Sequence, residues 1–258
     1  MAPWTAFPHS GDYQFDASRV KLHWNQLHAG DMEPLPQDRQ VLTAWALFHG
    51  GEFEKAADAG LQAGAAGRTV ANKATCVYAH YLEPREKHRQ RLFLQVADRA
   101  AEQAEAEPAN ANAFYWQAYA LGRYSQGISV AKALAQGVGG KVKSALESAI
   151  RLQPGHADAH VALGAFHAEV IDKVGTLIGN MTYGAKKETS LNLFERALTL
   201  HPQSAIAKIE YANALVILDG DKRMAEATRY YEQAAAMAAF DASQRLDVEM
   251  ALTELAGL

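Results

Sequence analysis

The sequence predicts an all-α fold, a right-handed solenoid of stacked helical hairpins, and three observations carry that prediction. The run Ala149-Ile150-Arg151-Leu152-Gln153-Pro154 recurs as Ala197-Leu198-Thr199-Leu200-His201-Pro202. The segments after the two prolines also match: Ala157-Asp158-Ala159-His160-Val161-Ala162-Leu163-Gly164 lies against Ala205-Ile206-Ala207-Lys208-Ile209-Glu210-Tyr211-Ala212, at a constant offset of 48 from Pro154 to Pro202. Each proline closes one helical pattern and precedes another, so the repeated object is a helix pair. Helix pairs repeated at a fixed period stack into a solenoid.

The whole chain, 1–258, reads as one such domain. A capping helix is expected over 16–30: Asp16-Ala17-Ser18 supplies its cap, Val20, Trp24 and Leu27 lie at i, i+4 and i+7, and Gly30 ends it before Pro34 and Pro36. Repeat units are expected over 37–64, 69–107, 110–153, 156–201 and 204–239. In the first, Gly50-Gly51 breaks the two helices, and the small Ala44 and Ala56 stand where helices approach closely. In the second, Pro84 opens a helix that carries Leu92, Val96, Ala100 and Ala104 on one face.

The third and fourth units are longer than the fifth, whose Ala234 follows Ala197 by 37 residues. Their extra length is assigned to two insertions. The first, 123–140, holds a short helical run with Ile128, Ala131, Leu134 and Ala135 between glycines. The second, 167–185, carries Val170, Ile171, Val174, Leu177 and Ile178 at i, i+1, i+4, i+7 and i+8, the stripe of an amphipathic helix that Gly179 and Gly184 terminate. A last helix over 241–256 covers the end of the stack with Leu246, Met250 and Leu255. Small residues at 149, 164 and 212 are expected at helix crossings, with Leu146, Leu152, Phe194 and Leu200 buried.

Composition narrows the function. A hydrophobic content of 49% over 258 residues supplies a large core, and a net charge of −4 with interspersed signs argues against nucleic acid as a partner. The single cysteine, Cys76, cannot form an internal disulfide. The first ten residues show neither a basic start nor an apolar run, and no stretch of about 18 apolar residues appears. The expectation is a cytoplasmic protein without membrane insertion, or a periplasmic one if a signal segment is missing from this chain.

Leu163-Gly164, Ala149-Ile150-x-Leu152-x-Pro154 and Phe194-x-x-Ala197-Leu198-x-Leu200-x-Pro202 resemble the tetratricopeptide (TPR) repeat, over 110–240 and, more weakly, from Gln37. Against the 34-residue unit of that family, each middle repeat holds roughly a dozen extra residues. The lengthened repeats, with Phe114-Tyr115-Trp116 and Ile209-Glu210-Tyr211-Ala212-Asn213-Ala214, are similar to the T-component of TRAP transporters. That resemblance implies a solute-uptake accessory whose inserted helices help enclose a passage for an apolar ligand. Members are usually periplasmic and lipid-anchored, and the export signal and anchoring cysteine are missing here. The same insertions are also similar to the repeat domain of regulators of microtubule dynamics.

Tyr115, Trp116, Tyr119, Tyr124, Phe166, Tyr183 and Tyr211 concentrate aromatic rings in the middle repeats. Either they line an apolar groove, with Val170, Val174 and Ile178 as one wall and Glu210 and Asn213 as its polar groups, or they fill the core between layers. Arg85, Lys87, Arg89 and Arg91 place cations at a helix N-terminus, against the macrodipole, and suggest a patch for an acidic partner unless neighbouring carboxylates neutralise them. His156, His160 and His167, spaced by four and seven, could meet on a metal with Asp158 or Glu169, but their repeat positions favour packing, and no metal or cofactor is expected. Cys76 reads as inert packing, and no catalytic motif appears.

The expected function is therefore a non-catalytic TPR-type scaffold. Its enlarged middle repeats bind an apolar small molecule or a peptide, as a possible solute-uptake accessory. The alternative is an adaptor that binds another protein through outer helix surfaces.

Overall fold

Polar residues placed just before apolar helical stripes make the caps from which this fold is built. In the computed structural model, which describes residues 3–257, all the regular elements among the described residues are helices. They are α1 (Ala17–Leu22), α2 (Trp24–Leu27), α3 (Arg39–His49), α4 (Phe53–Gln62), α5 (Arg68–Tyr81), α6 (Glu86–Ala106), α7 (Ala111–Gln126), α8 (Val130–Ala135), α9 (Val138–Leu152), α10 (Ala157–Val174), α11 (Thr176–Tyr183), α12 (Lys187–Leu200), α13 (Ala205–Asp219), α14 (Met224–Ala235) and α15 (Ala242–Gly257). Side chains of Asp16, Asp38, Asn110, Ser129, His156 and Ser204 each accept a backbone N–H of the first turn of the next helix. Each satisfies one of the four N–H groups a helix start leaves without an intrahelical partner.

Within the stretch read as one solenoid, the chain divides into two compact units. The first comprises the chain up to His28, Met32–Leu152 and Phe240–Ser243; the second comprises Ala29–Asp31, Gln153–Ala239 and the chain from Gln244 onward. The physical reason lies in the repeats themselves: each hairpin contacts chiefly its neighbours, so contacts thin out between successive hairpins.

In the first unit α3 packs on α4, α5 on α6, and α7 on both α6 and α9. The first hairpins cross closely because Gly60 and Gly67 face each other, a Cβ on Gly67 standing 2.1 Å from the Gly60 carbonyl oxygen. Backbone blocks that position, so any side chain there forces the helices apart. Where one capping helix was expected over 16–30, the chain makes two, α1 and α2. They are split at His23, whose backbone leaves the helical region and whose ring lies 5.1 Å from that of Phe240.

In the second unit α10 packs on α12 and α13, and α13 on α14. Phe194 is fully buried, stacked on Tyr211 at 5.2 Å and 14°. A Cβ on Gly164 would stand 2.9 Å from the Phe194 ring, so the small and large residues of the two helices are complementary. Leu146 and Phe194 are buried, as their repeat positions require, whereas Leu152 and Leu200 are half-buried, each being the last residue of its helix.

The second insertion departs from its expected form. The stripe 170–178 does not lie on one helix, because α10 ends at Val174 and Gly175 turns the chain at φ 81° and ψ 158°, a backbone state open to glycine. α11 then runs to Gly184, a left-handed C-cap, and Gly179 lies inside the helix rather than at its end.

Candidate functional site

The aromatic residues of the middle repeats divide by depth. Tyr115, Trp116 and Tyr124 on α7, Phe166 on α10 and Tyr211 on α13 are buried, and Tyr119 and Tyr183 are half-buried. Tyr115, Trp116 and Tyr119 pack on one another at centroid distances from 4.8 to 6.1 Å, and Phe166 meets Tyr183 edge-on at 5.9 Å. Their apolar area is spent within their own unit, which is the core-filling arrangement. Asn213 accepts the Tyr231 hydroxyl, and Glu210 on the same helix is half-buried.

What the core does not absorb is the outer face of α11. Val170 and Val174, before the Gly175 turn, are half-buried, but Leu177, Ile178 and Met181 are exposed by 74%, 57% and 80%. Their spacing of i, i+1 and i+4 puts them on one side of a helix that carries no charged residue. An apolar cluster turned to water on an inserted element is the signature of a contact surface.

The cation segment does not form one patch. Arg85, the N-cap of α6, gives Nε to Glu83 Oε1 at 2.8 Å and Nη2 to Glu83 Oε2 at 2.9 Å, while His88 Nδ1 lies 2.6 Å from the same carboxylate and the Tyr78 hydroxyl donates to it at 2.7 Å. Glu83 is the counterion that offsets the unfavourable end charge. Lys87 and Arg91, four apart, share one exposed side of α6, and Arg89 points to the other.

The hydrogen bonds from Arg85 hold the Glu83 carboxyl well below the ordinary carboxylate range despite its burial. A carboxylate ionised more readily in the fold than in the open chain adds stability that is complete above its ordinary value of 4.5 and drains away as pH falls below it. Glu83→Gln is therefore expected to lower stability near neutrality and to flatten the acid limb of a plot of unfolding midpoint against pH. An unchanged acid limb would show that this carboxylate is not coupled to folding.

The three histidines each have a structural task. His156 caps α10, its Nδ1 accepting from the Ala159 N–H at 3.1 Å, in the position that Asn110 and Ser204 occupy two residues after Pro108 and Pro202. His160 Nδ1 lies 3.0 Å from the His156 carbonyl oxygen, and His167 Nδ1 accepts the Lys186 N–H at 3.2 Å. Among the described residues no group of three His, Cys, Asp or Glu side chains is placed to hold a metal ion. Cys76 is fully buried, and burial raises its thiol far above the usual range, so it is held as a thiol.

A polar network between α5 and α6 escaped sequence reasoning. Buried Asn72 donates to Gln103 Oε1 at 3.3 Å, Gln103 donates to Thr69 at 3.2 Å, and Arg99 donates Nε to Asn72 Oδ1 at 2.5 Å. Its only sequence signal was a polar residue on each helix where the repeat asks for an apolar one. No helix among the described residues is long and apolar enough to cross a membrane.

Comparison with known proteins comes from two directions. Residues 67–255 match the family model described as Regulator of microtubule dynamics protein 1-3. A solved structure, that of a thermophilic TPR protein in Thermus thermophilus, aligns with 92% of this chain and 97% of its own at 16% identity and a TM-score of 0.52. At that identity the likeness concerns the fold alone, and the fold is TPR-like and all-helical. No curated protein matches the chain. Of the families the sequence resembles, these findings support the TPR proteins and the regulators of microtubule dynamics, and they lend nothing to the transporter component.

Proposed function

The chain belongs to the family of regulators of microtubule dynamics 1-3, and on that footing we propose that it is a non-catalytic TPR-type scaffold that binds another protein or peptide through the outer face of α11. A TPR-like fold of this family suggests a binding or adaptor role. The observation that carries the finer reading is the contrast between rings and aliphatic side chains. The aromatic residues that would line a small-molecule groove are packed into the core, while Leu177, Ile178 and Met181 stand in water. Burying a large aliphatic side chain contributes about 1.5–3 kcal/mol, so three of them supply the centre of an interface even after the cost of association.

The test replaces all three by serine. Because they are exposed, the variant is expected to keep its helicity and melting temperature, and to bind at least tenfold more weakly the partner that co-purifies with the wild-type protein from its own host. The description of the family makes polymerised tubulin the first defined partner to assay by co-sedimentation. Unchanged affinity for the identified partner would remove α11 from the interface. Native mass spectrometry of the same preparation supplies the other arm: a small molecule on the intact chain, with no polypeptide, would overturn this reading in favour of a ligand pocket.

A further inference from the structure

The adjoining ends of α5, α6 and α7, all in the first unit, bring together polar groups that the fold itself does not satisfy. His80, in the last turn of α5, has its Nε2 buried without a hydrogen-bond partner, its ring edge-on to Tyr81 at 4.3 Å. Gln90, near the start of α6, has its Oε1 buried and equally unpaired. Its amide lies over Gly127, where an added Cβ would stand 1.5 Å from Gln90 Nε2. One helical turn before Gly127, Arg123 lies over the Tyr119 ring at 5.3 Å from its centroid. Burial first, and then the nearby charges of Arg123 and Arg89, hold His80 well below its ordinary range, which places both guanidinium groups beside the neutral imidazole. Arg89 has no ion-pair partner among the described residues.

Buried polar atoms are almost always paired, and a pair of orphans at one place marks a missing partner. The charge of the surroundings says which kind. We propose that His80, Arg89, Gln90 and Arg123 form a binding site for an oxyanion, a phosphate or carboxylate group. Planar guanidinium groups match either group with paired N–H donors. The neutral imidazole offers one N–H, and the Gln90 amide, turned by half a rotation, presents its NH2 where its oxygen now lies. Gly127 leaves the room that this amide occupies. The site lies in the first unit and α11 in the second, and the two share no residue. The serine variant of α11 is therefore expected to leave oxyanion binding unchanged, and either reading can fail alone.

The experiment titrates the whole protein with inorganic phosphate and, separately, with a hexaglutamate peptide, followed by calorimetry and by the imidazole resonances in NMR. Saturable binding is expected for at least one, weakening as salt is raised, with the His80 ring resonance moving on addition. Phosphate alone identifies a free anion; a much tighter peptide identifies a carboxylate carried by a partner. Arg89→Gln removes a charge, and Gly127→Ala displaces the Gln90 amide without changing charge; each is expected to weaken binding at least tenfold while far-UV helicity is kept. Arg91→Gln, on the other side of α6, is expected to change affinity less than twofold. No saturable binding by either probe, affinity unchanged in both site variants, or an equal loss in Arg91→Gln would overturn the proposal. If one site variant fails to fold, the other and the His80 resonance decide.

Discussion

Truncating Phe194 to alanine is expected to cost about 3–5 kcal/mol of stability, the range for deleting a large aromatic side chain from a core that cannot collapse onto the gap. Phe194 has no exposed surface, stacks on Tyr211 at 5.2 Å and lies against the backbone of α10 at Gly164. Chemical denaturation followed by circular dichroism measures the loss, and a change under about 1 kcal/mol would show that the second unit repacks around the void. The pairing with Gly164 gives a sharper check. Gly164→Ala alone is expected to cost about 1–3 kcal/mol, because its Cβ would meet the ring at 2.9 Å. In the Phe194→Ala background the same change is expected to be close to neutral, and strictly additive costs would mean that the two do not touch.

Asp241→Ala is expected to be as damaging. In the first unit His49 Nδ1 lies 2.6 Å from Asp241 Oδ2, with the two side chains 0% and 4% exposed. His49 is enclosed by Trp45, Phe48, His28 and Phe15, and Phe240 next to the aspartate packs on Phe15 at 5.9 Å. Removing one member of a buried, hydrogen-bonded pair leaves the other in apolar surroundings without it, at about 3–5 kcal/mol. For a chain of this size that lowers the melting temperature on the order of 10 °C. Asp241→Asn, which keeps an acceptor oxygen, is expected to lose clearly less. A wild-type melting curve for Asp241→Ala would mean that the α15 end of the chain is not held through this contact.

These two sites differ in how far they could be read in advance. Phe194 and Gly164 occupy repeated positions, and the offset between Pro154 and Pro202 placed them before any coordinates. His49 and Asp241 lie 192 residues apart, and nothing near either announces the other. The candidate site shows the same division. The insertions were legible as extra length within repeats, but the direction in which α11 presents its apolar side chains depends on the turn at Gly175, which the stripe of Val170 to Ile178 concealed by continuing across it. The role of His156 was legible, since aligning the prolines sets it beside Asn110 and Ser204, yet its helical spacing to His160 and His167 suggested a metal ligand. Helical spacing alone carries no information about which atom already has a partner.

By itself, the sequence determined the all-helical class, the proline-closed hairpins, the two enlarged repeats and the small and large residues at the crossings. These depend on local backbone preference and on contacts between adjacent hairpins, and both repeat along the chain with a period. Only the tertiary structure decided that the aromatic rings pack inward, that α11 turns its aliphatic face to water, that Glu83 neutralises Arg85, and that His80 and Gln90 meet two guanidinium groups. Each of those outcomes depends on where side chains from separate helices end up in space, and a pairing that occurs once has no period from which it could be read.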